Sequence, residues 1–236
     1  MYKNIRLYLV ALLLVAGFLP QMVLAATGPE QRAAALQKKY QQIHSLAFDF
    51  SQTTRSGGRI KHGTGDAVFL RSAATDTATG SSGIMRWNYT DPATQTIIND
   101  GTSFSVYTPE DKQLLVSPAQ DMESDILYAI FAGTRNLLDE FAAGPKDPLF
   151  LLNEPPEGCE PLQLIPKKPH PQVKRVQVWA TGDRTIRRLL MEDHFGAFTE
   201  LTFTNVRFNT LRQGDAQQMQ ALRALDLAPG TEIIQQ

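Results

Sequence analysis

Ile84-Met85-Arg86-Trp87-Asn88-Tyr89-Thr90-Asp91-Pro92-Ala93-Thr94-Gln95-Thr96-Ile97-Ile98-Asn99-Asp100-Gly101-Thr102-Ser103-Phe104-Ser105-Val106-Tyr107 is the stretch on which the fold turns. Apolar and polar residues alternate through it as in half-buried strands. The alternation breaks at Asp91-Pro92 and at Asn99-Asp100-Gly101, where turn residues are expected. Met85, Trp87 and Tyr89 share one face, so this meander lays large apolar side chains on a sheet rather than a row of catalytic groups. The pattern points to a surface that holds something apolar.

The same period of two extends outward on both sides. Leu46, Phe48 and Phe50 alternate with Ala47, Asp49 and Ser51, and after Ser56-Gly57-Gly58 a second strand is expected over Arg59 to Arg71, with Gly63 and Gly65 allowing a bulge or tight curvature. Ser72 to Gly83 is small, polar and without apolar period, which predicts an exposed loop. Further strands are expected at Gln113–Ser117, Leu162–Ile165, Val173–Ala180, Thr185–Glu192 and Ala197–Phe208. Helical spacing appears over Pro29 to His44, over Asp125 to Phe131 and Thr134 to Phe141 on either side of Gly133, and near Ala216–Leu225. A helix, a run of antiparallel strands, a helical interruption and more strands predict a mainly β, α+β fold. The expected form is a strongly curved sheet or open barrel whose helices cover the concave face.

The first 25 residues read as a cleaved secretory signal: Lys3 and Arg6, then the apolar run Leu7 to Leu19, then Val23-Leu24-Ala25 before Ala26. The run is shorter than the ~20 residues of a spanning helix. Residues 26–236 are expected to form a single domain. Cleavage removes two basic residues and no acid, leaving 21 basic against 24 acidic residues, a formal charge of −3. That leaves no basic stripe for nucleic acid. Cys159 is the only cysteine, so no intrachain disulfide forms, and the Pro-rich run Glu154–Pro161 around it reads as a loop.

Catalytic groupings are sparse. His44, His62, His170 and His194 fall on different expected elements without metal-ligand spacing, and neither a nucleophile elbow nor a phosphate-cradling glycine loop is present. Asp121, Glu123 and Asp125 precede an expected helix and suit its dipole. Glu192-Asp193-His194 reads as a polar strand end entering a turn. No enzyme, catalytic residue, metal or cofactor is therefore expected. Phe48, Phe50, Phe69, Met85, Trp87, Tyr89 and Phe104 remain as apolar candidates, and periodicity does not distinguish a filled barrel from a hollow one.

Five motifs in order resemble the LolA family of periplasmic lipoprotein carriers: Leu46-Ala47-Phe48-Asp49-Phe50-Ser51-Gln52, then Gly65-Asp66-Ala67-Val68-Phe69-Leu70-Arg71. Next come Arg86-Trp87-Asn88-Tyr89-Thr90-Asp91-Pro92 with Ile98-Asn99-Asp100-Gly101-Thr102, Asp193-His194-Phe195-Gly196 with Thr204-Asn205, and Pro229-Gly230-Thr231-Glu232-Ile233. The resemblance implies an incomplete (open) antiparallel β-barrel with a helical lid over an apolar cavity. It implies a monomeric periplasmic chaperone of Gram-negative cells that takes the acyl chains of lipoproteins from an inner-membrane ABC transporter and passes them to an outer-membrane receptor. Arg71 matches the arginine that holds the lid closed. Met85 falls where an aromatic lines the entrance, and Phe48, Phe50, Phe69, Trp87, Tyr89 and Phe104 are further cavity candidates. The family has a tight link after that arginine where this chain has Ser72 to Gly83, so Arg86 is a rival for the lid-closing role. An envelope lipid- or lipoprotein-sensing module of the same architecture is the alternative function, and a periplasmic hydrolase is a distant third.

Overall fold

The structure, a computed structural model, describes residues 28–72, 83–119, 130–131 and 136–236. The signal segment 1–25, the interior of the Ser72–Gly83 loop, the acidic trio 121, 123 and 125, Gly133, and all but the last two residues of the helix expected over Asp125 to Phe131 lie outside the described residues.

After helix α1 (Pro29–Gln41) come β1 (Ser45–Ser56), β2 (Arg59–Arg71), β3 (Gly83–Asp91), β4 (Gln95–Asn99), β5 (Ser103–Thr108) and β6 (Gln113–Pro118). A short helix α2 (Leu137–Glu140) leads into β7 (Phe141–Gly144), followed by β8 (Cys159–Pro166), β9 (Arg175–Thr181), β10 (Ile186–Glu192) and β11 (Phe198–Phe208). Helix α3 (Ala216–Arg223) and β12 (Glu232–Gln235) complete the chain. The twelve strands form one open sheet in the order β12-β6-β5-β4-β3-β2-β1-β11-β10-β9-β8-β7. All pairs are antiparallel except β12 with β6, which is parallel.

Local chemistry explains the centre of the sheet. Gly57 and Gly58 both have positive φ, at 55° and 78°, as a two-residue hairpin loop of the primed type requires, and the β1–β2 register runs unbroken from Ser45↔Leu70 to Ser56↔Arg59. The β2–β3 register slips between Thr64 and Gly65. There a Cβ on Gly65 would sit 1.9 Å from the Asn88 carbonyl oxygen, so only glycine lets the two strands approach. The curvature expected of Gly63 and Gly65 is localised at this bulge.

The alternation divides the sheet into two faces. Leu46, Phe48, Phe50, Ala67, Phe69, Met85, Trp87, Leu189, Leu201 and Phe203 meet on the concave side in one buried cluster with Ala33, Leu36 and Tyr40 of α1. A smaller cluster of Phe150, Trp179 and Leu190 lies under the connection between β7 and β8.

Three expectations need correcting. The helix expected over Thr134 to Phe141 is helical only at Leu137–Glu140 in its described part, and Phe141 instead opens β7, paired with Pro166 of β8. Tertiary strand pairing overrides the helical propensity of Phe-Ala-Ala. Cys159 does not sit in a loop; it begins β8 opposite Thr181. Burial pushes its thiol up from the ordinary value, which disfavours the thiolate. Finally, helix α1 ends at Gln41, short of the expected His44: Arg71 caps this end on the Tyr40 and Ile43 carbonyls, and the His44 N–H donates to the Asn209 side chain rather than continuing the helix.

Candidate functional site

The concave face begins as a ladder of rings. Phe48 packs edge-on against Trp87 and Phe203, with centroids 5.4 and 4.9 Å apart, and Phe50 packs edge-on against Trp87 and Tyr89, both at 4.9 Å. Phe131 joins Phe48, Phe203 and Tyr40 at 5.4 to 5.9 Å. Phe48, Phe50, Phe69 and Met85 are at most 3 % exposed and Trp87 is 8 % exposed, so side chains fill this part of the concave space. Met85 pairs with Phe69, near the strand ends where α1 attaches. It therefore lies within the packed core and away from the opening described below. Phe104 faces the same side, opposite Asn99, and is half-buried.

Helix α1 closes one end of this face. Its apolar stripe of Ala33, Leu36 and Tyr40 is buried against the cluster, as the helical period predicts. Polar attachments hold it there. The Arg71 guanidinium donates to the carbonyls of Tyr40 and Ile43, each at 3.0 Å, so it caps the C-terminal end of α1, where the dipole favours a cation. The Tyr40 hydroxyl accepts the Ile186 N–H at 3.1 Å, and burial pushes its phenol above the ordinary value. Lys39 donates to Asp183 at 3.0 Å and to the Thr185 hydroxyl at 2.7 Å. The Asp183 carboxyl is held well below the usual range by the Thr181 hydroxyl, then by Lys39 and Thr185, against the opposing effect of burial. Gln37 accepts the Leu137 N–H at 2.9 Å, which ties α1 to α2.

At the opposite strand ends the face opens. A groove of about 730 Å³ lies between Gln52, Thr54, Lys61, Gly63, Tyr89, Asp91, Gln95 and Thr108, among others. Tyr89 links it to the core: its ring packs edge-on against Phe50, and its hydroxyl donates to Gln52 Oε1 at 2.9 Å. The face changes from aromatic to polar along single strands, since Phe48 and Phe50 are succeeded on the same side by Gln52 and Thr54. That alternation was available in the sequence. It marks where the apolar surface gives way to a mouth.

Arg86 belongs elsewhere. Neighbouring Met85 and Trp87 face the concave side, so Arg86 points outward. There it donates to Asn88 at 2.9 Å and to the carbonyls of Leu222 and Ala224 at 3.3 and 2.6 Å, at the C-terminal end of α3. Burial lowers the proton affinity of its guanidinium from the ordinary value. The segment after β11 crosses the outer face as a strap. Leu211 bonds to Ser45 and His44, and the Ala228 N–H donates to the Tyr107 hydroxyl at 2.8 Å before β12 joins β6.

The groups that suggested acid–base chemistry are otherwise engaged. Glu192 is buried between Lys174 and Arg175, and although burial opposes it, their hydrogen bonds hold its carboxyl below the ordinary range. His194 bonds to the His170 carbonyl at 2.6 Å. Among the described residues no three His, Cys, Asp or Glu side chains gather as metal ligands, and no helix is long and apolar enough to cross a membrane.

The family described as "Outer membrane lipoprotein carrier protein LolA" matches residues 41–215. Outer-membrane lipoprotein carrier proteins of Chromohalobacter salexigens and Methylococcus capsulatus are each 25 % identical to the chain. The first aligns over 81 % of this chain and 82 % of its own length, the second over 85 % and 86 %. An uncharacterized conserved protein from Thermus thermophilus has a similar fold, with a TM-score of 0.50 at 12 % identity, covering 88 % of this chain and 99 % of its own.

Proposed function

The chain belongs to the LolA family of outer-membrane lipoprotein carriers, and on that footing we propose that it is a periplasmic chaperone that shields the acyl chains of lipoproteins in transit. One observation carries this reading. An aromatic concave face is closed at one end by a helix held through a few polar bonds, and it is open at the other through a groove that Tyr89 joins to the core.

Each methylene left in water costs ~0.8 kcal/mol, so one long acyl chain costs on the order of ten kcal/mol to carry unshielded. A rigid, permanently hollow site that recovered all of that energy would not release its cargo. A site filled by its own rings recovers less, because incoming chains must displace Phe48, Phe50 and Trp87 and lift α1. Hydrogen bonds worth ~0.5–1.5 kcal/mol net each are a suitable latch for such an exchange. In this reading Arg71 is the latch, Tyr89 stands at the mouth, and Arg86 serves the strap. Residues 1–25 are an export signal and residues 26–236 the single carrier domain. Cargo comes from an inner-membrane lipoprotein-releasing ABC transporter and goes to an outer-membrane receptor, and the carrier acts as a monomer without cofactor.

Binding of a diacylated lipopeptide, compared with its deacylated counterpart, tests the proposal. Saturable binding of the acylated peptide alone is expected. Equal binding of both, or of neither, would sink the carrier reading.

A further inference from the structure

The end of the sheet that carries the groove also gathers charge and apolar surface beyond the groove lining, with which it shares Lys61 and His62. The β1–β2 hairpin runs Arg55-Ser56-Gly57-Gly58-Arg59-Ile60-Lys61-His62, with four basic or titratable side chains, no acid, and every residue exposed. Among the described residues, Arg55, Arg59 and Lys61 form no ion pair. Ile60, between two of these cations, is 53 % exposed.

The neighbouring strand ends add to this surface. Phe198 of β11 pairs with Arg55, so the β10–β11 turn projects beside the hairpin, and at its tip Phe195 is 95 % exposed. The Asp193 carboxylate holds that turn by accepting the N–H groups of Phe195 and Ala197, each at 2.8 Å. On the outer side, Asp147 bonds to Arg175 at the start of β9 and to the Leu149 N–H, which fixes a turn whose Leu149 is 91 % exposed. Single exposed apolar residues are ordinary on protein surfaces. Three at one end of the sheet, with unpaired cations on the hairpin beside them, are not.

We propose that this end of the sheet docks on an anionic phospholipid surface, with the β1–β2 hairpin against the headgroups and Ile60, Phe195 and Leu149 entering the interface. Basic residues flanking exposed apolar tips are the combination that binds such an interface, since apolar burial and attraction to anionic lipid add. A recess of about 440 Å³ between Thr54, Ser56, Gly57, Arg59 and Lys61 provides room beside these cations for a headgroup phosphate. Of the acids at the same end, Asp193 and Asp147 are taken up by turn N–H groups and, for Asp147, by Arg175, and Glu192 is buried between Lys174 and Arg175. Asp91 lies across the groove, and Glu110 and Asp111 are on the β5–β6 turn, four strands from β1. Contact therefore tilts toward the hairpin and leaves the groove mouth at the edge of the footprint. This goes beyond acyl-chain carriage and stands independently of it.

Co-sedimentation of the full chain, after export processing, with vesicles of phosphatidylglycerol and phosphatidylethanolamine, against vesicles of phosphatidylcholine, tests the proposal. Binding to the anionic vesicles alone is expected, weakening as salt rises. Each cation near an anionic surface contributes roughly fivefold, so Arg55→Gln/Arg59→Gln should reduce partitioning on the order of twentyfold. Phe195→Ser should reduce it by roughly tenfold, through apolar contact and not through charge. Circular dichroism melts should be unchanged, since all three positions are exposed. No binding to anionic vesicles at low salt, equal binding to neutral vesicles, or parent-like binding by the double variant would overturn the proposal. Lipopeptide binding by the same variants separates the two readings: intact lipopeptide binding without vesicle binding removes the docking surface and leaves the carrier standing.

Discussion

Arg71 and Arg86 stand on adjacent strands, and each caps the carbonyl end of a helix, yet they serve opposite faces of the sheet. On the concave side, α1 presses buried Ala33, Leu36 and Tyr40 into an aromatic core. On the outer side, α3 buries no residue, and its strap is fastened mainly by hydrogen bonds. The two coverings thus rest on different forces. Lifting α1 exposes apolar surface that a lipid chain could cover in its place, so in the proposed carrier ligand burial and lid opening would offset one another. Releasing the strap offers no such exchange. In the proposed carrier, the same arginine chemistry would make a latch on one face and a fastener on the other.

The largest expected effect is on the core beneath the latch. Phe48→Ala removes a buried ring that touches Trp87, Phe131 and Phe203, and should destabilise the fold by ~3–5 kcal/mol in denaturant unfolding. A loss under about 1 kcal/mol would mean that the concave face is loosely packed, and the contrast with the outer face would fail.

Next come the two arginines. Arg71→Leu forfeits two charge-assisted bonds and should loosen α1 by on the order of 3 kcal/mol. Faster hydrogen exchange confined to the α1 amides, with altered lipopeptide affinity, would register it. Arg86→Leu should cost ~1–2 kcal/mol, seen as faster proteolysis between Asn209 and Thr231, with lipopeptide affinity unchanged. If Arg86→Leu changes affinity as much as Arg71→Leu, the division between latch and fastener is mistaken.

The smallest effect is on acid stability. Asp183, which tethers α1 through Lys39, has a carboxyl depressed in the folded state, so its contribution is complete above the ordinary carboxylate value of ~4. It is lost as pH falls below that value, through the depressed native one. Because the Asp183 side chain is 69 % exposed, solvent screening keeps this below about 1 kcal/mol. Asp183→Asn should flatten the decline of α1 protection in acid while leaving it nearly unchanged at neutral pH. An equally steep acid decline in the variant would assign it to other carboxylates.

Much of this was legible in the sequence because the signal was local. Arg59 to Arg71 emerged with the expected bounds, since Gly57-Gly58 and the period of two define a hairpin without outside help. What failed was set by distant partners. Phe141–Gly144 and the Cys159–Pro161 start of β8, ahead of the expected Leu162–Ile165, become strands only because each finds a neighbour. Tyr40, Lys39 and Gln52 drew no notice as site residues because their roles depend on Ile186, Asp183 and Tyr89, far away in sequence. Neither could the period of two say which arginine meets α1 and which meets α3, since the two helices lie on opposite sides of the same two strands.

One property of the sheet bears on how the proposed carrier, with its interior filled, would accept guests of different bulk. The ladder runs from β12 to β7 and does not close on itself. In a closed barrel, a wider circumference means sliding or breaking strand pairs all the way round. Here the sheet can uncurl slightly, with every backbone bond between neighbouring strands kept. Accommodating a bulkier chain then strains side-chain packing alone, and the stiffness of the container is set by its contents and not by its wall.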